Sequence, residues 1–295
     1  MRFKMKNEGN IPVLLVRGNN LPEVWEKSVL ACWERGIEIK TQYDRLGDPP
    51  SKDCTMTMVI EEPLSEPRIH RGFPGGLEDL ETYRQEVVFG IHDSWVDTKD
   101  PTKWDYTYHE RLFKYGLENN IGLARQPIDQ INAYVIPELT KVPYSRRVQA
   151  ITWQPALDTV VSDPPCLQRL WFRMLQNEVG QYVLNMHTYW RSRDAFKAAF
   201  MNLFAMVSLQ ECIAKKIEVY IKEPVLIGQM VDISDSYHIY GKDFGDKEKP
   251  EPGTFSGFLR LLKGRNFDER TWSMEFAEPI FQETREKLAK EKMKN

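Results

Sequence analysis

Cys166, in the run Asp163-Pro164-Pro165-Cys166-Leu167, stands in a chain whose other polar motifs suit work on a nucleotide. Twenty residues before it lies the pair Arg146-Arg147; after it come Arg191-Ser192-Arg193-Asp194, then Asn202, then His238-Ile239-Tyr240. A cysteine acts as a nucleophile only as its thiolate, which needs nearby positive charge or a helix terminus. Guanidinium forks match phosphate oxygens two at a time, so the arginines could serve thiolate and phosphate together. An amide offers both a donor and an acceptor to a base edge, and a His-Tyr pair can hold a sugar hydroxyl. Each residue also has a plainer reading. A free cysteine is most often a small buried hydrophobe, an Arg-Arg pair a solvated surface feature, and a strand His-Tyr pair a satisfied part of the core. Asn202 is harder to dismiss, since an amide in an apolar helix is costly without a partner. Cys32, Cys54 and Cys212 have no arginine neighbourhood and read as structural.

An anionic ligand would need such local cations, because the 295-residue chain carries a net charge of −3 and a pI near 6.0. That balance argues against a general nucleic-acid or membrane surface. With 41% hydrophobic residues the chain can bury a full core. Its four cysteines lack any CxxC-type spacing and no export signal precedes them, so they read as reduced thiols in a cytoplasmic protein. The basic start Met1-Arg2-Phe3-Lys4 is followed by polar Asn7-Glu8-Gly9-Asn10. The apolar run Ile11 to Val16 is too short for a signal-peptide core or a membrane span. Five scattered histidines and no ligand-spaced cysteines give no support for a metal site.

The elements that must position these residues follow from periodicity. Ile11 to Val16 reads as a buried strand, and Leu21 to Gly36 as an amphipathic helix closed by its glycine. Residues 41–53 are loop-like, Thr55 to Ile60 alternates as a strand, and a helix runs from about Leu77 to about Gly90. Residues 92–107 are polar and irregular, and Ile128-Asp129-Gln130-Ile131 opens a helix that ends before Pro143. Val148 to Trp153, Leu167 to Leu175 and Tyr182 to Tyr189 read as strands. From Ala195 the period changes: Phe196, Ala199, Phe200, Leu203, Phe204 and Val207 share one helical face, with Ser192 or Asp194 as its cap. Val219-Tyr220-Ile221 and Gly228 to Ser234 read as further strands, and the charged tail 283–295 as a solvated or frayed helix. Strands and helices mix without strict alternation, which predicts the α+β class.

Ser145-Arg146-Arg147, Trp153 and Pro165-Cys166 resemble the segment that leads to the nucleophile of thymidylate synthases. Arg191-Ser192-x-Asp194 resembles that family's RSxD motif, and Asn202 follows Asp194 at the family's spacing of eight residues. His238-Ile239-Tyr240 matches its HIY motif, and Ile128 to Ile131 matches a further segment. Five motifs in order, over roughly residues 125–245, are hard to obtain by chance. The resemblance implies one catalytic domain over 1–295, a mixed sheet packed with helices, and a sheet-to-sheet homodimer. It implies reductive methylation of dUMP to dTMP. Cys166 would add to C6 of the uracil and so turn C5 into a nucleophile. The one-carbon donor would be methylenetetrahydrofolate or a related pterin such as methylenetetrahydromethanopterin.

The same resemblance assigns roles. Arg191 and Ser192 would bind the phosphate, with Arg146 and Arg147 reaching it from the partner subunit. Asn202 would hydrogen-bond the uracil edge; cytosine-specific relatives carry Asp there, so Asn202 favours dUMP over dCMP. His238 and Tyr240 would hold the deoxyribose 3′-hydroxyl, and Asp194 would belong to both the catalytic and the pterin-binding sets. Upstream, Asp44-Arg45-Leu46-Gly47 resembles the family's arginine loop, with Arg45 closing over the phosphate. Glu86, before Val87-Val88-Phe89, resembles the catalytic glutamate; a carboxylate beside an apolar run can have the raised pKa that proton transfer needs, or be an ordinary surface charge. Trp104-Asp105 resembles a cofactor-stacking segment, and Tyr108 is the candidate for helping to abstract the C5 proton.

The departures from the family pattern cluster on the pterin side. Leu167 stands where His usually follows the nucleophile, Trp190 stands where Gln usually precedes RSxD, and a charged stretch, Lys287 to Asn295, replaces a short apolar C-terminal segment. These features resemble the archaeal-type branch, as does the run Ile233 to Tyr240. They keep two alternatives in view: a dUMP hydroxymethylase, if water reaches the methylene intermediate before hydride, and a non-catalytic nucleotide-binding regulator.

Overall fold

The computed structural model describes residues 9–97, 100, 102–116 and 127–292. The readings made for Met1 to Lys4, for Asn7-Glu8 and for the last three residues of the tail lie outside that range. The elements, in chain order, are β1 (Val13–Gly18), α1 (Leu21–Arg35), β2 (Ile37–Ile39), β3 (Ser51–Ile60), β4 (Ile69–His70), α2 (Leu77–Phe89) and α3 (Tyr108–Phe113). They continue with α4 (Ile136–Lys141), β5 (Gln149–Ile151), α5 (Pro155–Asp158), β6 (Leu167–Gln176), β7 (Tyr182–Asp194), α6 (Ala199–Ile221) and β8 (Val225–Ile239). The last are α7 (Phe255–Gly264), β9 (Thr271–Trp272) and α8 (Met274–Lys292).

A seven-stranded mixed sheet has the order β1-β3-β8-β7-β6-β5, with β2 paired to the start of β3. β1 with β3 and β7 with β8 are parallel; the other neighbours are antiparallel. One face of the sheet is covered by helices. α6, 23 residues long and largely buried, crosses it with Phe200, Leu203, Phe204 and Val207 in the core. α1 packs beside it, and its Trp25 ring meets Phe200 and Phe258 edge-on at 5.3 Å each. Asn20 caps α1 by accepting from the Glu23 N–H at 3.1 Å, and Pro22 sits in the first turn, where a missing N–H costs nothing. Gly228 marks a bulge in β8: a Cβ there would lie 3.0 Å from the Leu184 carbonyl oxygen and 2.7 Å from a Val183 methyl.

The α+β expectation holds, and several local expectations are corrected. Ile11 to Val16 is not a buried strand but overlaps an edge strand that alternates: Leu14 is 2% exposed, Val13 73% and Leu15 65%. Ser51 to Asp53, read as loop, begin β3. The helix expected from Ala195 starts at Ala199, because β7 runs through Asp194 and residues 195–198 form a turn. Val219-Tyr220-Ile221 is not a strand. It is the last turn of α6, where helical continuity outweighs β-branched propensity, and Lys222 closes it with a φ of 61°. The helix opened by Ile131 begins as a π turn over Ile131–Val135 and does end before Pro143. Tail residues 283–292 complete α8, whose Ala277, Phe281 and Thr284 are buried.

Candidate active site

Strand register gathers the motif residues at one end of the sheet. Leu167 pairs with Trp190, so Cys166, immediately before β6, lies opposite Arg191; the Arg191 N–H donates to the Cys166 carbonyl at 2.9 Å. One strand further, Ser192 pairs with Ser236 and Asp194 with His238. α2, from the helical layer, contributes Tyr83, Glu86 and Val87, and the segment before α3 contributes Trp104, Tyr106 and Thr107. Together with Tyr108, Asn202, Tyr240 and Tyr43 these residues line a cavity of about 660 Å³. That volume suits a nucleotide-sized ligand.

Burial pushes the Cys166 thiol up, and two guanidinium groups, Arg191 and Arg193, pull it down against the opposing push of Asp163. Arg191 is held by the nucleophile's own loop: its Nε donates to the Pro165 carbonyl at 3.1 Å, and its Nη2 meets both the Pro164 carbonyl and the Asp163 carboxylate. Arg193, buried in the cavity wall, pairs with Asp232, which also accepts from Thr188 and, at 2.9 Å, from the Trp190 indole. Trp190, the departure before RSxD, thus has a structural task as a donor to a buried carboxylate.

Glu86 is pushed up by burial, against the lowering influence of His92, whose Nδ1 lies 2.7 Å from its Oε1. His92 stacks on Trp95 at 3.6 Å, and Trp104 meets both rings edge-on. Asn202 donates from Nδ2 to the Tyr83 hydroxyl at 2.5 Å. That bond orients the amide and leaves its oxygen and one N–H for a ligand. Burial raises the Tyr83 and Tyr106 phenols and puts Tyr108 well above its ordinary range, so all three are neutral donors near neutral pH. Tyr108 bonds to the main chain of Leu167 and packs edge-on against Trp190 at 5.7 Å. Asp194 accepts from the N–H groups of Phe196 and Lys197 at 3.0 and 2.8 Å, and burial raises its carboxyl to about 6.

A thymidylate synthase family model matches residues 73–250. The chain belongs to the thymidylate synthase family. Among relatives, a Methanosarcina mazei protein named "Putative thymidylate synthase" is 29% identical over 230 residues, covering 78% of this chain and 91% of its own. A Methanocaldococcus jannaschii protein of the same name is 32% identical over 213 residues, covering 70% and 84%. The fold is similar to that of thermostable thymidylate synthase A from Bacillus subtilis. The TM-score is 0.52 at 17% identity, over 75% of this chain and 80% of that one.

Against the family expectations, the structure brings Cys166, Glu86, Tyr108, Asp194, Arg191, Ser192, Asn202, His238, Tyr240 and Trp104 to one cavity. It leaves three cations outside. Arg45 is exposed on its loop, with its N–H bonded to Asp48 at 2.7 Å, and Tyr43 reaches the cavity instead. Arg146 and Arg147 are exposed, and Arg147 pairs with Glu138 at 3.0 Å. Sequence reasoning missed Tyr83, His92, Tyr106 and Arg193. Of these, Tyr83 carried a usable signal: it sits three residues before Glu86, on the same face of a helix already expected. Among the described residues no cluster suits a metal ion, no helix is long and apolar enough to cross a membrane, and none beyond Tyr240 lines the cavity.

Proposed function

We propose that the protein is a thymidylate synthase acting on dUMP as a homodimer, with one observation carrying the reading: Cys166, Arg191, Asn202 and Glu86 face a single cavity. Cys166 adds to C6 of the uracil, aided by the guanidinium groups of Arg191 and Arg193, and C5 becomes nucleophilic. Asn202 holds the base edge, its amide set by Tyr83. Glu86 and Tyr108 hold and move protons around the ring, Glu86 being suited by its raised pKa. His238 and Tyr240 take the sugar, and Arg191 and Ser192 the phosphate, completed by Arg146 and Arg147 of the partner subunit. The half-exposed Trp104 ring and the Asp194 carboxyl fit a flat heterocycle bearing N–H groups, and they would hold the pterin. When bound, a methylene-pterin supplies the one-carbon unit and the reducing hydride. The setting is expected to be cytoplasmic.

A second reading, dUMP hydroxymethylation, is favoured by one observation. No described residue beyond Tyr240 closes the cavity, and α8 packs on α2 instead. Incubation with dUMP and methylenetetrahydrofolate, followed by mass spectrometry of the nucleotide, separates the two: a methyl product supports the first reading, a hydroxymethyl product the second. Absence of tritium release from C5-labelled dUMP that is nevertheless bound would sink both and leave a non-catalytic binder.

A further inference from the structure

A second cavity, of about 690 Å³, shares no lining residue with the first. Its walls are the turn after β4, the segment 250–254 and one face of α7. Gly257, Arg260, Leu261 and Gly264 recur at three- and four-residue intervals and form that face. Glycine shapes the walls. A Cβ on Gly257 would collide with the Glu251 carbonyl, so only glycine lets the segment lie on the helix, and a Cβ on Gly72 would come within 2.9 Å of the His70 and Phe258 rings.

Three guanidinium groups line this cavity, those of Arg71, Arg260 and Arg265, and no Asp or Glu does so among the described residues. All three arginines are exposed, and none forms an ion pair within the described chain. Arg71 is held in place: its Nη1 donates to the Glu269 carbonyl at 3.0 Å, and its guanidinium lies over the Trp272 ring at 5.0 Å. Arg260 and Arg265 keep all their side-chain donors free, and the Gly75 and Gly253 N–H groups on the same walls also lack an acceptor among the described residues. In a chain of net charge −3, three cations without counter-charge around one cavity mark a local anion site. The cavity is too large for a single phosphate group, and Leu261 with three prolines (Pro74, Pro250 and Pro252) adds apolar wall.

We infer that this cavity is a second ligand site, which takes a polyphosphate chain, free or carried by a nucleoside. The inference goes beyond the proposed reaction and does not depend on it. Guanidinium forks bind phosphate oxygens two at a time, and three of them match the repeated charge of a di- or triphosphate better than the single charge centre of a monophosphate.

Calorimetric titration of the full-length protein with inorganic tripolyphosphate, ATP and dTTP, at about 0.15 M salt, tests this. At least one probe is expected to bind with a Kd below about 100 µM. Nucleotides binding more tightly than tripolyphosphate would assign the apolar wall to a base, and equal binding would assign the site to the phosphate chain alone. Arg260→Gln and Arg265→Gln are each expected to weaken binding about tenfold, the size of one charge-assisted hydrogen bond, and together about a hundredfold. Both side chains are exposed, so the fold and the binding of dUMP in the first cavity should be unaffected. Arg191→Gln should leave polyphosphate binding unchanged. Absence of binding below about 1 mM for every probe would overturn the inference. So would binding that survives the double substitution, or that Arg191→Gln abolishes, since the anion would then sit elsewhere. Neither result bears on the proposed reaction, which tritium release from C5 tests separately.

Discussion

Asp194 is held at an energetic cost, and removing its charge is expected to stabilise the fold while removing activity. Its carboxyl is raised to about 6 from the ordinary 3.8, chiefly by burial and then by the neighbouring Asp243 carboxylate, against the two N–H groups and Lys197 that favour the charge. A carboxyl whose pKa is raised on folding binds more protons in the native than in the unfolded state between those two values. Stability therefore falls as pH rises from near 4 to about 6, and above that the whole cost is present. A gap of roughly two pH units is worth about 3 kcal/mol, an upper figure because the side chain keeps some contact with water.

Asp194→Asn keeps the acceptor for Phe196 and Lys197 and discards the charge. It is expected to be more stable than the wild type at pH 8 by up to about 3 kcal/mol, or several degrees in Tm for a chain of this size. Near pH 4 the difference should vanish. Urea unfolding of both proteins at half-unit steps from pH 4 to 8 gives the two curves, and tritium release from labelled dUMP gives the activity. An Asn variant less stable than the wild type at pH 8, or a difference that does not depend on pH, would refute the argument that burial of this charge strains the site.

Other perturbations report on the groups around it. Arg193→Met leaves Asp232 as a buried carboxylate without its cation and should cost roughly 3–5 kcal/mol in denaturant unfolding, while Arg193→Met with Asp232→Leu should recover part of that. His92→Phe keeps a ring against Trp95 but removes the lowering influence on Glu86, so the acid limb of the pH profile for C5 tritium release should move to higher pH; an unmoved limb would exclude Glu86 as the titrating base. Mixing inactive Cys166→Ser with inactive Arg146→Ala/Arg147→Ala subunits should restore about a quarter of wild-type activity, because half the dimers are mixed and each of those holds one intact site. No recovery after verified subunit exchange would place both arginines outside the partner's site.

The motif residues were legible because their chemistry is local. Cys166, Arg191 to Asp194 and His238 to Tyr240 sit at or near strand ends, and β6, β7 and β8 could be read from alternation. What alternation could not show was pairing. Only the sheet register reveals that Asp53, from a segment read as loop, lies beside His238, or that Arg193 reaches Asp232. The two-residue strands β4 and β9 exist only because each pairs with the other, and no window of sequence contains both. Val219 to Ile221 was misread for the opposite reason: its β-branched residues speak for a strand, but α6 continues through them and buries its other face.

The proposed dimer gives two further mismatches one explanation. Arg146 and Arg147 were expected from the family resemblance to meet the phosphate, yet they stand outside the cavity of their own chain. Val13 and Leu15 belong to an apolar strand yet point away from the helical layer, as do Leu226 on β8 and Leu175 on β6, all of them exposed. A chain that buried all its apolar residues internally would not alternate in this way along three strands of one sheet. The proposed sheet-to-sheet dimer accounts for both facts at once, covering the outer face and giving the stranded arginines an anion to meet. The two facts stand or fall together: an active monomer would leave the exposed strand face unexplained and the phosphate short of two cations.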